Sequence, residues 1–151
     1  MRTATEPAPR RKALASSYVL EEQIGFLLRC VSQRHATIFA KSMTDHLTPA
    51  QWTTMVKLYE IGSCSQNTLA QVTAIDAATI KGVLERLSNR GFIQAEADPD
   101  DGRRLIIQLN DKGNRVVERL VSTAFAITTQ TLEPLTSKEQ EVLLKLLAKI
   151  K

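Results

Sequence analysis

Cysteines and histidines are scarce in this 151-residue chain, and each shortage argues against a class of protein. Cys30 and Cys64 are the two cysteines, and they have no Cys-x-x-Cys spacing. We therefore expect no disulfide framework and no zinc site, but reduced structural thiols. The sequence has two histidines and lacks Gly-x-Ser-x-Gly, a phosphate loop and a metal-ligand cluster. It therefore predicts no enzyme, no bound metal and no cofactor.

Long hydrophobic runs are also missing. No apolar stretch approaches the roughly 18 residues of a membrane span, and the first residues lack the apolar core of a secretory signal. We therefore expect a cytoplasmic protein without a membrane partner. A length of 151 residues with 43% hydrophobic content suits one domain with a substantial core.

The part of the chain with the clearest structural pattern, residues 76–115, has no excess of charge of either sign. The net charge is +4, and most of the excess lies near the amino terminus, in Arg2, Arg10, Arg11 and Lys12. Residues 1–16 are predicted to be a flexible basic arm. Between Asp76 and Arg115 the cations and anions balance. A nucleic-acid partner must therefore be argued from where particular cations project, and not from bulk charge.

The stretch from Asp76 to Leu109 carries the clearest pattern. Its apolar residues follow the spacing of one helical face, at Ile80, Val83, Leu84 and Leu87. Asp76 is placed to cap this helix, and Gly91 to end it in a left-handed conformation. Two β-type runs, 92–96 and 104–109, then enclose the turn cluster 98–102. A capped helix followed by a hairpin with two arginines is typical of a winged helix-turn-helix.

The remaining segments are predicted to be helices on either side of this stretch. We expect a long helix over Tyr18–Met43, a helix from Pro49 that stops at Gly62, and a short helix over Gln66–Val72. After the wing, a long helix capped by Asn110 ends at Pro134. A final helix then begins at the capping box Thr136–Glu139. The predicted fold class is mainly α with a small β-hairpin wing (α+β).

This order of elements predicts one domain over residues 17–151. Residues 48–110 would form the winged helix-turn-helix head, and residues 17–47 and 111–151 would form helices that flank it. The broad apolar stripe of the first helix suggests that it packs on a second subunit as well as on its own domain.

Several residues of the head are candidates for DNA contact. With Ile80, Leu84 and Leu87 buried, the fourth predicted helix would present small and polar residues to the major groove, and the third helix would face phosphate. The candidate set is Gln66, Asn67, Ala78, Thr79, Lys81, Gly82, Arg86, Arg103 and Arg104. Two alternatives stay open: the helix face is merely solvated, or both wing arginines only neutralise the nearby aspartates.

In this order the chain resembles the MarR family of bacterial regulators. The residues that carry the resemblance are Leu69-Ala70, Leu84-Glu85-Arg86-Leu87 with Gly91, Asp98 to Arg104, and Leu109 to Gly113. The resemblance implies a homodimer joined by its terminal helices and two winged heads on a pseudo-palindromic operator. It also implies that Asp101 and Arg103 brace the wing, and that a small phenolic or aromatic acid often relieves repression.

A narrower resemblance is to a branch of the family that represses nicotinic acid degradation. It rests on residues 24–29, 33–35 and 78–83. That branch implies a hydroxylated pyridine carboxylate as effector.

An effector pocket is predicted where the first two helices meet the head. An aromatic acid needs flat apolar walls and donors for its carboxylate, and this region offers both. The predicted lining residues are His35, Phe39, Trp52 and Met55, with Arg29 or Arg34 near the mouth of the pocket. The alternative for His35 is an ordinary core or interface histidine. The alternative functions are a redox regulator that acts through Cys30, and a winged helix used only for protein contact.

Overall fold

The structure is a computed structural model that describes residues 18–151. The chain divides into two compact units, one that ends at Gln33 and one from Arg34 to Lys151. The predicted basic arm, residues 1–16, lies outside the described residues. Within residues 18–151, none of the helices has the length and apolarity needed to cross a membrane.

Six α-helices and three β-strands make up the described part of the chain. In chain order they are α1 (Ile24–Ser42), α2 (Pro49–Ile61), β1 (Ser63–Ser65), α3 (Gln66–Thr73), α4 (Ala77–Asn89), β2 (Ile93–Ala97), β3 (Leu105–Leu109), α5 (Asp111–Leu132) and α6 (Ser137–Ile150). The predicted class, mainly helical with a small β wing, is confirmed.

Local capping explains why five of these helices begin where they do. Thr48, Ser65, Asp76, Asn110 and Thr136 are the N-caps, and each side chain accepts a hydrogen bond from the backbone N–H three residues later. Each bond satisfies a donor that would otherwise have no partner in the first helical turn. The start positions predicted for these five helices are therefore confirmed.

The predicted start of the first helix is wrong. We expected the helix to begin at Tyr18, but α1 begins at Ile24, and a separate 3-10 turn covers Leu20–Glu22. Gln23 adopts an extended conformation, with φ −80° and ψ 130°, so the turn cannot continue into α1. Apolar periodicity does not show such a break, because the stripe runs through it unchanged.

The sheet has three strands in the order β1-β3-β2, and both pairs are antiparallel. Strands β2 and β3 are the predicted wing hairpin, shifted by one residue at the start of each strand. The sequence did not predict β1, because three residues are too few to show a period of two. Pairing of Ser63–Ser65 with β3 joins the wing to the segment that leads into α3.

The core of the unit Arg34–Lys151 lies under α4 and the sheet. The side chains that are almost fully covered are Met55, Leu58, Leu69, Ile80, Leu87, Ile127, Val83 and Thr54. In α3, Leu69 is buried in this core, but Val72 is 43% exposed. The core therefore holds α4 by one face and leaves its opposite face open.

Candidate nucleic-acid interface

Helix α4 exposes the face predicted to meet DNA. Ile80, Val83, Leu84 and Leu87 are all buried. Ala78, Thr79, Lys81 and Glu85 are exposed on other sides of the same helix, and Gly82 is half-buried. Because Ala78 and Gly82 are small, the backbone of α4 can come close to the base edges when the helix lies in a DNA major groove.

A concave groove of about 770 Å³ lies between α3, α4 and the wing. Five predicted DNA contacts line it together: Gln66, Asn67, Lys81, Arg103 and Arg104. These residues come from three separate elements, so only the fold brings them to one surface. Part of the groove's lining is apolar, from Leu84, Ile93, Leu105 and Ile107.

The wing arginines project without acidic partners. In the described range, the ion pairs join Lys57 to Glu60 and Arg119 to Asp45, so neither Arg103 nor Arg104 pairs with a carboxylate. This argues against the alternative that both arginines only neutralise the nearby aspartates. Both side chains are exposed at the edge of the groove.

Asp101 holds the wing turn through backbone groups. Its Oδ1 accepts from the backbone N–H of Arg103 at 3.1 Å, and its carbonyl accepts from the N–H of Arg104 at 2.8 Å. The N–H of Asp98 donates to the carbonyl of Arg104 at 2.9 Å. The guanidinium of Arg103 takes no part in these bonds. The contact between Asp101 and Arg103 that the structure shows is therefore a hydrogen bond to the backbone of Arg103, and not one to its guanidinium.

Asp76 caps the amino end of α4 with its carboxylate. Hydrogen bonds from Thr79, first from its hydroxyl and then from its backbone N–H, hold the pKa of Asp76 below its ordinary value. The N–H lies 2.9 Å from Oδ1 of Asp76.

Arg86 lies on the other flank of α4. It contributes to a shallower depression of about 540 Å³ together with His46, Thr48, Gln51, Asn89 and Arg90. Ala78, Thr79 and Gly82 line neither this depression nor the wing groove. The predicted DNA residues therefore follow α4 along its exposed side and on both of its flanks.

A junction that the sequence did not predict supports the end of α4. The guanidinium of Arg90 donates to the backbone carbonyls of Asp45 and His46, two consecutive residues in the left-handed conformation (φ 59° and 49°). Arg119 of α5 pairs with the Asp45 carboxylate at 2.8 Å and holds its pKa below the ordinary value. Charge-assisted bonds thus fix a strained turn. No local pattern reveals contacts between residues 45 positions apart.

The residues predicted for the effector pocket occupy several environments. Phe39 and Met55 belong to the buried core, and Trp52 packs partly against it. The ring of His35 lies 6.2 Å from that of Phe39. None of these residues lines the wing groove or the shallower depression. Arg29 is exposed and belongs to the unit that ends at Gln33, so its part in a pocket stays a prediction.

Arg34 and His35 are both engaged with the carboxyl end of α5. Arg34 donates to the carbonyls of Gln130 and Thr131, at 3.1 and 3.3 Å. Nδ1 of His35 lies 2.9 Å from Oγ1 of Thr131, whose own proton is donated to the carbonyl of Ile127 at 2.8 Å. Since Oγ1 of Thr131 must accept, Nδ1 of His35 carries the proton. Nε2 is then the nitrogen left to meet another partner.

The two cysteines differ in environment. Cys30 is exposed and Cys64 is buried in β1. Burial raises the pKa of the Cys64 thiol, which makes it less reactive.

Comparison with known proteins places the chain in one family. The MarR family model matches residues 47–105. The HTH-type transcriptional repressor NicR of Pseudomonas putida is 37% identical over 134 residues, which cover 88% of this chain and 85% of NicR.

Two solved structures are similar over nearly the whole chain. One is a probable transcriptional regulator from Pseudomonas aeruginosa, with 50% identity and a TM-score of 0.85, covering 88% of this chain and 100% of that one. The other is BpsR of Bordetella bronchiseptica, whose DNA binding is regulated by 6-hydroxynicotinic acid. It has 37% identity and a TM-score of 0.85, and covers 89% of this chain and 97% of BpsR. This chain, too, is therefore a member of the MarR family of transcriptional regulators and not an enzyme.

Proposed function

We propose that this regulator is a cytoplasmic homodimeric repressor that binds a pseudo-palindromic DNA operator and leaves it when a small aromatic acid binds. The observation that carries the proposal is the wing groove, where Lys81, Arg103 and Arg104 from two distant segments line one concave surface. Cations on both sides of a groove next to an exposed helix suit a duplex, whose phosphates flank each major groove.

In this proposal α4 enters the major groove and the wing follows the backbone. The exposed side chains of Ala78 and Thr79 are short, and Lys81 can reach a base edge or a phosphate. Gln66 and Asn67 lie in the first turn of α3, where unpaired backbone N–H groups favour an anion, and they are assigned to phosphate. Arg104 is assigned to the minor groove, because a narrow minor groove attracts arginine strongly.

A second copy of the chain is the partner assigned to the apolar side chains that remain exposed. On α6 these are Val142, Leu146 and Ile150, and on α5 Phe125 is 71% exposed. Val142, Leu146 and Ile150 recur every four residues and so share one face of α6, and an exposed apolar face favours a protein partner. In the dimer the two α4 helices would enter major grooves roughly 10 base pairs apart, one turn of DNA. A monomer in sedimentation at micromolar concentration would contradict this.

The effector that we propose is a hydroxylated pyridine carboxylate. One line of support comes from relatives and a second from the chemistry of His35. NicR and BpsR are similar to this chain over most of its length, and BpsR responds to 6-hydroxynicotinic acid. Because Nδ1 of His35 is committed to Thr131, the neutral ring offers an acceptor at Nε2. A ring hydroxyl or ring N–H of the acid can donate there, and Phe39 supplies a neighbouring aromatic surface.

The test has two stages. Selection of bound duplexes from a random pool should give one pseudo-palindrome, with affinity that falls steeply as salt rises. Absence of salt-dependent duplex binding would refute the proposal and favour a protein-contact module. Release of the selected operator is then measured with 6-hydroxynicotinic acid, nicotinic acid, salicylic acid and hydrogen peroxide. Release by peroxide, lost in Cys30→Ser, would favour the redox alternative.

His35 is tested with two variants and a matched control. His35→Ala should bind the operator as the wild type does but need a higher concentration of acid for release. Thr131→Val should act in the same direction, because it removes the partner that fixes the ring. Thr128→Val is the control, since Thr128 has the same bond within α5 to the carbonyl four residues earlier but no histidine partner. Release of His35→Ala at the wild-type concentration would refute the role of His35.

A further inference from the structure

One side chain of α4 lies along the helix instead of projecting from it. A Cβ placed on Gly82 would stand 3.5 Å from Nη1, 3.6 Å from Nη2 and 3.9 Å from Cζ of Arg86. The guanidinium of Arg86 therefore covers the surface that Gly82 leaves bare. Side chains in helices lean toward the amino end and meet the residue four positions earlier, which is the geometry seen here.

The position of Gly82 decides where this guanidinium lies. At about 100° per residue, Gly82 is roughly 200° around α4 from the buried Ile80, on the side directed away from the core. Ala78 and Asn89 share that side and are exposed. The guanidinium thus lies on the outward side of α4, between the wing groove and the shallower depression.

Arg86 is also free to bind a partner. Its side chain is exposed, and the ion pairs found for residues 18–151 do not include it. Glycine in a helix interior lowers helix stability relative to alanine. No close approach of another element accounts for this glycine, because the three nearest atoms to the missing Cβ, outside the backbone of α4 itself, all belong to the guanidinium of Arg86.

We propose that Arg86 contacts a base pair of the operator while its guanidinium lies over Gly82. Gly82 is then the residue that positions the guanidinium. A guanidinium held on the outward side of a helix in the major groove can donate two parallel hydrogen bonds to O6 and N7 of guanine. This inference rests on the proposed function, because it requires that α4 enters the major groove. It assigns to Arg86 the discrimination at one G·C pair of each half-site.

The competing role for Arg86 is a phosphate contact made from the shallower depression on its flank. The two roles differ in what a substitution changes. Loss of a base contact changes the preference at one position and leaves the salt dependence nearly constant. Loss of a phosphate contact weakens all duplexes alike and lowers the salt slope by about 1. The position of the guanidinium over Gly82 favours the base contact.

The first experiment uses the full chain and duplexes with every single base-pair change in the selected operator. The wild type must first show sequence preference; if it does not, the proposed function fails whatever the role of Arg86. Arg86→Ala should then lose about 5- to 150-fold of discrimination at one G·C pair per half-site, which corresponds to 1–3 kcal/mol. Unchanged preference at every position, or uniform weakening with a lower salt slope, would overturn the inference.

The second experiment tests whether Gly82 positions the guanidinium of Arg86. Gly82→Ala should retain the preference, because its Cβ only reaches ordinary contact with Arg86. Gly82→Leu should lose preference at the same base pair as Arg86→Ala, since leucine occupies the place of the guanidinium. The double variant Gly82→Leu/Arg86→Ala should show the same loss of preference at that base pair as Arg86→Ala alone. The circular dichroism spectrum of Gly82→Leu should match that of the wild type, since leucine is a good helix former, and a match excludes general unfolding as the cause. Preference retained in Gly82→Leu, or lost at a different base pair, would overturn the positioning role.

Discussion

Replacing Gly113 by alanine should destabilise the protein, against the usual rule for helices. Gly113 lies in the first turn of α5, where alanine would ordinarily be favoured by up to about 1 kcal/mol. A Cβ at this position, however, would stand 2.2 Å from the carbonyl oxygen of Phe92 and 3.0 Å from Cδ2 of Leu109. The first of these atoms is backbone and cannot rotate away.

The magnitude follows from what must move. The carbonyl of Phe92 accepts from the N–H of Asn110 at 3.1 Å, and the side chain of Asn110 caps α5 through the N–H of Gly113 at 3.0 Å. Relief of the clash therefore strains or breaks this pair of bonds. Overpacking costs about 1–3 kcal/mol, and a lost hydrogen bond about 1 kcal/mol. After subtraction of the helix gain, we expect a net loss of about 1–3 kcal/mol.

The assay is urea unfolding followed by circular dichroism at one fixed protein concentration, because association would shift the midpoint by mass action. Gly82→Ala is the matched control, a helical glycine whose Cβ meets only the flexible end of Arg86. It should be neutral or more stable than the wild type. If Gly113→Ala unfolds at the same or a higher urea concentration than the wild type, the close approach of α5 to Phe92 is refuted.

Three further predictions concern the interface and its support. Arg104→Ala should weaken binding to all duplexes and lower the salt slope by about 1, as measured by fluorescence anisotropy; an unchanged slope would contradict the wing assignment. Because the pKa of Asp76 is lowered in the folded protein, its cap contributes fully above the ordinary range of a carboxyl and is lost as pH falls through the lowered value. Asp76→Asn, which caps without titrating, should therefore lose less stability than the wild type between about pH 5 and about pH 3, and equal losses would count against the cap. Arg90→Ala should lower the free energy of unfolding by about 1–3 kcal/mol, since it removes charged donors from the carbonyls of Asp45 and His46; a change within error in urea unfolding would show that this turn needs no support.

The helices and their boundaries were largely determined by local sequence. A cap such as Asp76 or Asn110 acts on a backbone N–H three residues away, so its effect is contained within a few residues of chain. The buried face of α4 followed from the same short-range periodicity. The start of α1 was missed because the break is a change of backbone angle at Gln23, which leaves the apolar pattern intact.

The candidate site divides in the same way. The sequence predicted which cations could meet DNA, because Lys81 and Arg104 stand at fixed places in a helix and a hairpin. It could not show that Gln66, Asn67 and Lys81 share one groove with the wing, because their meeting depends on how separate elements pack.

Only the tertiary structure decided the contacts that join distant segments. Pairing of β1 with β3, the bonds from Arg90 to the turn at Asp45, and the approach of Gly113 to Phe92 all link residues far apart in the chain. The sequence contains the side chains for these contacts but no local signal of them. Their partners come together because burial of the apolar face of α4 draws those segments into one core.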